Sequence, residues 1–350
     1  MQRRIFYYCP ATPDRSGGVP VLLKQAMLLR DAGYEVSIYY HPLVVGKAPD
    51  GEKEIELLRT DWLDFSVQGL PLIPLGRGAA HTPDGVRIDL LPQLLLEPDT
   101  LFVIPESCPS LMKDTRTVPC KRLVFAQNWT YALRDMPDGV SWRDYGVRDV
   151  LAVGQAIKQF IDSCMPGLEV DVVRYSINRG VFRPGRDKLP LITYQARNEY
   201  MLAKMNLVAR MFYLRNPNLM HYRFEQLQDL SRQSFAEKLA SSRIVLYCDE
   251  IAGMPTLPLE AMACHTIPVG WRTYGGAEFM RADNGFWVDS GDIAGLADKL
   301  SEVVNLYESG GLDSEHLTSG FEQTLNGFTQ EEERRNTLAY FQRLLADESA

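Results

Sequence analysis

The chain has 350 residues, which is long for one hydrophobic core and suits two domains of ordinary size. Apolar residues make up 45% of it and charged residues 23%, which are the proportions of a globular protein. The formal net charge of −8 argues against a nucleic-acid partner held mainly by neutralising phosphates.

The six cysteines are scattered, with no CxxC pair and no histidine at zinc-finger spacing from them. We therefore expect buried free thiols in a reducing cytoplasm. Residues 1–4 lead directly into a short strand-like run that cannot serve as a signal peptide, and no run reaches transmembrane length. These features predict a cytoplasmic protein for which any membrane contact is peripheral.

The N-terminal residues predict a β-loop-α-β unit. Residues 4–9 form an apolar run typical of a buried strand, and a loop rich in proline, aspartate and serine follows at 10–16. Apolar residues then recur at helical spacing until the next strand at 36–40. Gly17 and Gly18 stand at the helix start, where backbone N–H groups can meet a phosphate or sugar oxygen. By itself, a Gly-Gly pair is usually only a tight turn.

Two further buried strands are predicted at 101–106 and 122–126. The second delivers Gln127 and Asn128 at its carboxyl end, where ligands of open α/β sheets bind. Both amides are therefore candidates for contact with an acceptor or a sugar. Trp129 offers a face on which a sugar ring could stack, although a half-buried loop aromatic explains it equally well.

The predicted domain boundary is a polar, glycine- and proline-containing linker at 185–190, after which the strand 191–194 begins a second α/β domain. The first domain is accordingly predicted at 1–185 and the second at 190–325. The remaining segment, 326–350, contains an amphipathic helix that on its own evidence caps the second domain.

Residues 255–270 read as a loop, a helix start and a short buried strand. Thr256 and Pro258 suit a first helical turn, because proline has no N–H to leave unpaired there. Glu260 lies close to the positive end of the helix dipole. A carboxylate in such a unit can hold the hydroxyls of a ribose or hexose, while spacing alone favours a residue that only stabilises the helix.

The amino-acid sequence of this region resembles the donor-binding motif of retaining GT-B glycosyltransferases of family 4. Residues 259–264 read LEAMAC, the turn at 270–279 contains a Gly-Gly pair, and 284–288 read NGFWV. The ordered match runs for about fifty residues, which makes it more specific than a single glycine motif. The resemblance implies an α/β GT-B fold, with two Rossmann-like domains facing across a cleft. It also implies that the final helix crosses back to the first domain.

The reaction that the resemblance implies is glycosyl transfer from a UDP- or GDP-type nucleotide-sugar to a glycan or other hydroxyl acceptor, with retained anomeric configuration. Such a reaction belongs to polysaccharide or glycoconjugate biosynthesis. Family members generally need no metal and no cofactor besides the donor, and the sequence contains no Asp-x-Asp pair. Neither the acceptor nor the oligomeric state follows from the motif.

The same resemblance assigns donor contacts in the second domain. Glu260 would bind the nucleotide ribose. Arg197, which follows the strand at 191–194, would bind the diphosphate, because its guanidinium can donate two hydrogen bonds to phosphate oxygens. Lys204 is a second diphosphate candidate at a longer spacing than usual. The remaining donor positions are Leu259, Gly275 and Gly276 in the second domain and Gly17 and Gly18 in the first.

One departure from the family pattern affects catalysis. The first glutamate of the motif, which contacts the donor sugar, falls at Ala252. We therefore predict that Glu250 takes that contact, and that Arg197 and Asn128 complete the catalytic set. Two alternatives remain open: a degraded homologue that acts as a binding or partner subunit, and a GT-B nucleotide-sugar epimerase. An epimerase would need further acid/base groups, and none of the five histidines lies in an assignable motif.

Overall fold

The computed structural model of the protein describes residues 4–10 and 17–346, so most of the predicted loop at 10–16 lies outside the described residues. Within them, the chain forms two compact units. The first contains the chain up to Val153, Ile157–Val173 and the residues from Arg334 onward, and the second contains Gly154–Ala156 and Arg174–Glu333. No helix among the described residues is long and apolar enough to cross a membrane.

The first unit is built on a parallel sheet whose order is β11-β10-β9-β8-β1-β2-β5. The strands of this large sheet are β1 (Arg4–Cys9), β2 (Glu35–Tyr40), β5 (Leu72–Pro74), β8 (Thr100–Pro105), β9 (Lys121–Ala126), β10 (Asp149–Ala152) and β11 (Glu169–Val172). A smaller sheet contains β3 (Leu43–Lys47), β4 (Lys53–Glu56), β6 (Ala79–His81) and β7 (Arg87–Asp89). The helices of the first unit are α1 (Gly18–Asp31), α2 (Pro109–Asp114) and α3 (Gln155–Cys164).

The central strands of this sheet are largely apolar because helices and loops cover both faces of a parallel sheet. Every residue of β8 is buried, and β1 buries Ile5, Tyr7 and Cys9 completely. Helix α1 connects β1 to its parallel neighbour β2, as the sequence predicts.

The smaller sheet, β3-β4-β6-β7, was not predicted. It pairs β3 with β4 and β6 with β7 in antiparallel fashion and β4 with β6 in parallel. Its strands are short and partly exposed, with only Ile55, Ala80 and Leu90 forming a small core. Such strands give no sustained alternation of apolar and polar residues, which is why the sequence did not reveal them.

The second unit is a five-stranded parallel sheet of order β13-β12-β14-β15-β16. Its strands are β12 (Leu189–Tyr194), β13 (Arg223–Gln226), β14 (Ser242–Tyr247), β15 (Ile267–Arg272) and β16 (Phe286–Asp289). Its helices are α4 (Glu199–Arg215), α5 (Arg232–Ser241), α6 (Thr256–Ala263), α7 (Ile293–Glu308) and α8 (Ser314–Leu325). Side chains of the sheet and of α4 and α7 share one buried core, which includes Phe212, Trp271 and Leu300.

The units divide after Val173, whereas the sequence places the boundary at 185. The segment after Val173 is tied to the second unit by hydrogen bonds. The Tyr175 hydroxyl donates to the Met254 carbonyl at 2.8 Å, and the Ser176 hydroxyl donates to Glu333 at 2.7 Å. A linker of polar composition therefore does not mark the point at which contacts change from one unit to the other.

The last helix, α9 (Gln330–Ala346), joins the first unit from Arg334 onward. Its Tyr340, Phe341 and Leu344 are buried, and the Lys121 ammonium donates to the Leu344 carbonyl at 2.8 Å. The apolar face of this amphipathic helix is therefore its buried face.

Candidate functional site

Four charged side chains meet at the carboxyl ends of β12 and β14 in the second unit. Arg197 follows β12, and its Nη2 lies 2.9 Å from Oδ2 of Asp249, in an ion pair that lacks the alignment of a hydrogen bond. The Lys204 Nζ lies 2.6 Å from Oε2 of Glu250. The structure thus brings both predicted diphosphate cations beside the two acidic residues that precede Ala252.

Lys204 reaches this cluster from the second turn of α4, whose N-terminus is capped by Asn198. Its ammonium lies 4.1 Å from the ring centroid of Tyr200 and 4.8 Å from that of Trp271. Desolvation lowers the pKa of Lys204, but the hydrogen bond and the attraction from Glu250 outweigh it, and the net pKa is raised. Lys204 therefore stays cationic beside the cluster.

The loop after β14 carries Ala252 into a packed position, where the residue is almost fully buried. A Cβ atom at position 275 would overlap the carbonyl oxygens of Ala252 and Gly253, so only glycine allows the two loops to approach this closely. A Cβ atom at position 276 would meet only the flexible side chain of Met280, which can move. Of the predicted glycine pair, Gly275 is therefore the one that the packing of the Ala252 loop requires.

Glu260 lies in α6 with its side chain only 3% exposed, and its Oε1 accepts a bond from Nη2 of Arg232 at 2.6 Å. Arg232 begins α5 and lies over the ring of Phe182, 4.4 Å from its centroid. Among the described residues, Arg232 donates to Glu260 Oε1 and none donates a hydrogen bond to Oε2, so Oε2 can accept a hydrogen bond from a ligand. The neighbouring Leu259 side chain is buried, so only its backbone could contact a ligand.

The carboxyl ends of β8 and β9 bring the candidates of the first unit together. A Cβ atom at Gly18 would lie 3.1 Å from Oε1 of Gln127, so the glycine pair and this amide are neighbours. The Asn128 Oδ1 accepts bonds from the Thr130 N–H and hydroxyl at 3.0 Å, which caps a short helical turn. Trp129 packs against Phe160 at a centroid distance of 5.5 Å.

Glu106 lies beneath these amides and was not singled out from the sequence. It is 3% exposed and accepts the Asn128 backbone N–H at 2.8 Å. Burial raises the pKa of the Glu106 carboxyl to about 7, against the opposing hydrogen bonds from its own backbone and those of Gln127 and Asn128. Arg134 also lowers this pKa from a distance. Glu106 thus anchors the loop that carries Gln127 and Asn128.

The raised pKa of Glu106 predicts a pH-dependent stability. A carboxyl whose pKa is higher in the folded than in the unfolded chain stabilises the fold below pH 4.5, and this contribution is lost as the pH rises through 7. Over that interval the loss is about 3 kcal/mol. Urea titrations at pH 4.5 and 8 should therefore show Glu106→Gln gaining that amount relative to the parent. Exposed Glu35→Gln is the control, and parallel pH profiles for all three proteins would contradict the assignment.

Arg232 and Glu106 are the two site residues that sequence reasoning missed. Arg232 lies 28 positions before Glu260 and Glu106 lies 22 before Asn128, so neither pair falls within one motif. The sequence offered one weak signal, a glutamate directly after an apolar strand. No pattern marked Arg232, because only packing against Phe182 brings its guanidinium to α6.

The strand order and the site define a protein class, that of α/β proteins with two Rossmann-like units and a charged cluster at the strand ends of the second. Residues 224–310 match the family described as glycosyl transferases group 1. That stretch contains Arg232, Glu250, Glu260 and the pair Gly275 and Gly276. This part of the second unit is therefore similar to glycosyl transferases group 1, in agreement with the resemblance seen in the sequence.

Solved structures share the fold over nearly the whole chain. Sucrose-phosphate synthase from Thermosynechococcus elongatus has a TM-score of 0.70 at 13% identity, with 99% of this chain and 100% of that chain covered. A glycosyltransferase from Rickettsia africae has 0.67 at 15%, covering 98% and 99%. Anabaena HepE, solved with UDP-glucose, has 0.65 at 10%, covering 97% and 100%. No curated protein matches the sequence. These likenesses establish the predicted GT-B fold.

Proposed function

We propose that the protein is a metal-independent glycosyltransferase that moves a sugar from a UDP- or GDP-type nucleotide-sugar to a hydroxyl acceptor with retention of anomeric configuration. The observation that carries the proposal is the arrangement of Arg197, Lys204, Glu250 and Glu260 around the strand ends of one unit. Strand ends of open parallel sheets are where α/β proteins bind nucleotides. The glycosyl transferases group 1 match and the UDP-glucose bound by Anabaena HepE support this ligand class.

In this proposal the donor nucleotide lies against α6 and the β12 end. Glu260 Oε2 accepts the ribose hydroxyls while Arg232 holds Oε1. Arg197, whose side chain is 52% exposed, turns from Asp249 toward the diphosphate. Its fork then stabilises the negative charge that develops on the leaving diphosphate, which is a preorganised electrostatic contribution. From the resemblance seen in the sequence, the backbones of Gly17 and Gly18 are further proposed to contact the diphosphate or the acceptor.

Glu250 is the proposed contact to the donor sugar. Lys204 fixes one of its oxygens at 2.6 Å, and the Ser290 hydroxyl lies 3.5 Å from the other. A carboxylate held in this way can bind a sugar hydroxyl more strongly as positive charge develops on the sugar ring, which lowers the barrier. Gln127, Asn128 and Trp129 are proposed to face the acceptor or the sugar.

A degraded homologue that binds a donor without transferring it is the second candidate, and Ala252 favours it. Its methyl group is buried beside Gly275, so the position of the missing motif carboxylate contributes nothing polar. A GT-B epimerase is the third candidate. It would release no free sugar but would change the configuration of the donor.

Donor hydrolysis separates these functions without knowledge of the acceptor. Purified protein incubated with UDP- and GDP-sugars in the presence of EDTA should slowly release one free sugar, whose first-formed anomer is that of the donor by NMR. Glu250→Gln should lower this turnover at least about tenfold while donor affinity changes little. Exposed Glu237→Gln is the matched control. Donor binding without any release would contradict the transferase and support the degraded homologue.

A further inference from the structure

Three potential metal ligands converge at one end of the small sheet, far in sequence from the residues of the candidate site. Asp50 lies in the turn between β3 and β4, Glu52 directly precedes β4, and His81 ends β6. The His81 Nε2 is 2.9 Å from Oδ2 of Asp50 and 3.2 Å from Oε2 of Glu52. One ligand atom from each residue lies within 4.8 Å of the others.

The contacts in this cluster are not those of a hydrogen-bonded histidine. The atoms Glu52 Oε2 and His81 Nε2 are both shielded from solvent, and neither has a hydrogen-bond partner among the described residues. Their separation is short, but the ring N–H direction does not suit a bond to either carboxylate. With its proton on Nδ1, such an imidazole would present the Nε2 lone pair between the two carboxylate oxygens.

The distances fit a cation at that centre. Zinc binds histidine nitrogen and carboxylate oxygen at about 2.0–2.2 Å, so ligand atoms around a tetrahedral ion are roughly 3.4 Å apart, slightly more than the 2.9 and 3.2 Å found here. Asp50 Oδ1 accepts the Glu52 backbone N–H at 3.0 Å, and this bond turns Oδ2 toward His81.

The charges around the cluster also favour a divalent ion. Two carboxylates, Asp50 and Glu52, face one imidazole, and a dication would balance their two negative charges. Arg87 also lies beside the cluster, with its Nε 3.8 Å from Glu52 Oε2 and its Nη1 bonded to Asp89 at 3.1 Å. Arg87 therefore compensates Glu52 only in part.

We infer that Asp50, Glu52 and His81 form a structural site for a first-row divalent cation of the zinc type. A set of one imidazole and two carboxylates suits zinc better than magnesium or calcium, which prefer oxygen ligands alone. The exposed side of Asp50 leaves room for water as a further ligand. The ion would fasten the β3–β4 turn to β6 within a sheet whose apolar core is small. It takes no part in the proposed sugar transfer.

Zinc titration of tag-free protein after chelator treatment tests the site. Calorimetry should show one bound equivalent per chain, and zinc should raise the thermal midpoint of the parent protein. Cobalt, used as a spectroscopic probe, should give a visible absorption band from imidazole and carboxylate ligation. His81→Gln and Asp50→Asn should each weaken binding about tenfold or more and abolish the thermal shift.

The matched control is His221→Gln, which removes a half-exposed histidine in the second unit and should bind zinc as the parent does. Asp50 lies in an exposed turn, so Asp50→Asn keeps the test valid even where His81→Gln lowers stability. The absence of saturable zinc binding by the parent would overturn the inference and leave a histidine ion pair in its place. Equal zinc affinity in Asp50→Asn and the parent would overturn it as well.

Discussion

Replacing Glu260 with glutamine is expected to weaken nucleoside diphosphate binding by about 10- to 100-fold. Hydrogen bonds to a charged group contribute roughly 1.5–3 kcal/mol, and the proposed ribose contact is of this kind. Because Oε1 is held by Arg232 at 2.6 Å, the carboxylate cannot rotate away and compensate. Calorimetry with UDP and GDP measures the loss for whichever nucleotide the parent protein binds.

The ribose is identified by comparing nucleotides with and without its hydroxyls. The parent should prefer the nucleoside diphosphate over its 2′,3′-dideoxy form, and Glu260→Gln should bind both about equally. Arg232→Met should reduce the same preference, since it releases the oxygen that fixes the carboxylate. Glu237→Gln, an exposed change on α5, serves as the control. An unchanged preference in Glu260→Gln would contradict the ribose assignment.

Replacing Arg197 with alanine is expected to weaken nucleoside diphosphate binding by about 10- to 100-fold and nucleoside binding hardly at all. The change removes a two-donor contact to phosphate. It also leaves Asp249, whose side chain is only 4% exposed, without its ion pair and with its negative charge beside the ligand. Both effects act on the diphosphate and neither acts on the base or the ribose.

Arg197→Lys separates charge from geometry, because it keeps the positive charge and loses the planar fork. It should recover only part of the affinity. Arg210→Ala removes an exposed arginine from α4 and should bind both ligands as the parent does. Equal losses of nucleoside and diphosphate affinity in Arg197→Ala would show instead that the arginine supports the loop of Asp249.

The sequence predicted the fold well where a residue pattern extends over a whole element. Strand β8 is buried along its whole length, and β1 and β9 are mostly buried beyond their charged first residues, so each strand contains an apolar run. The motif around Glu260 could also be predicted from the sequence, because its helix and the strand after it are consecutive in the chain. The small sheet and the division of the units at Val173 were not predicted, because short half-exposed strands and side-chain contacts produce no periodic pattern of apolar residues in the sequence.

The sequence by itself determined the class of fold, the two Rossmann-like units and the positions from which Arg197, Glu250 and Glu260 are presented. Only the tertiary structure decided which partner each charge has. Arg197 meets Asp249 and Lys204 meets Glu250 because β12 and β14 are adjacent parallel strands. A charged side chain acts through neighbours a few ångströms away, and strand pairing and helix packing choose those neighbours from distant parts of the chain.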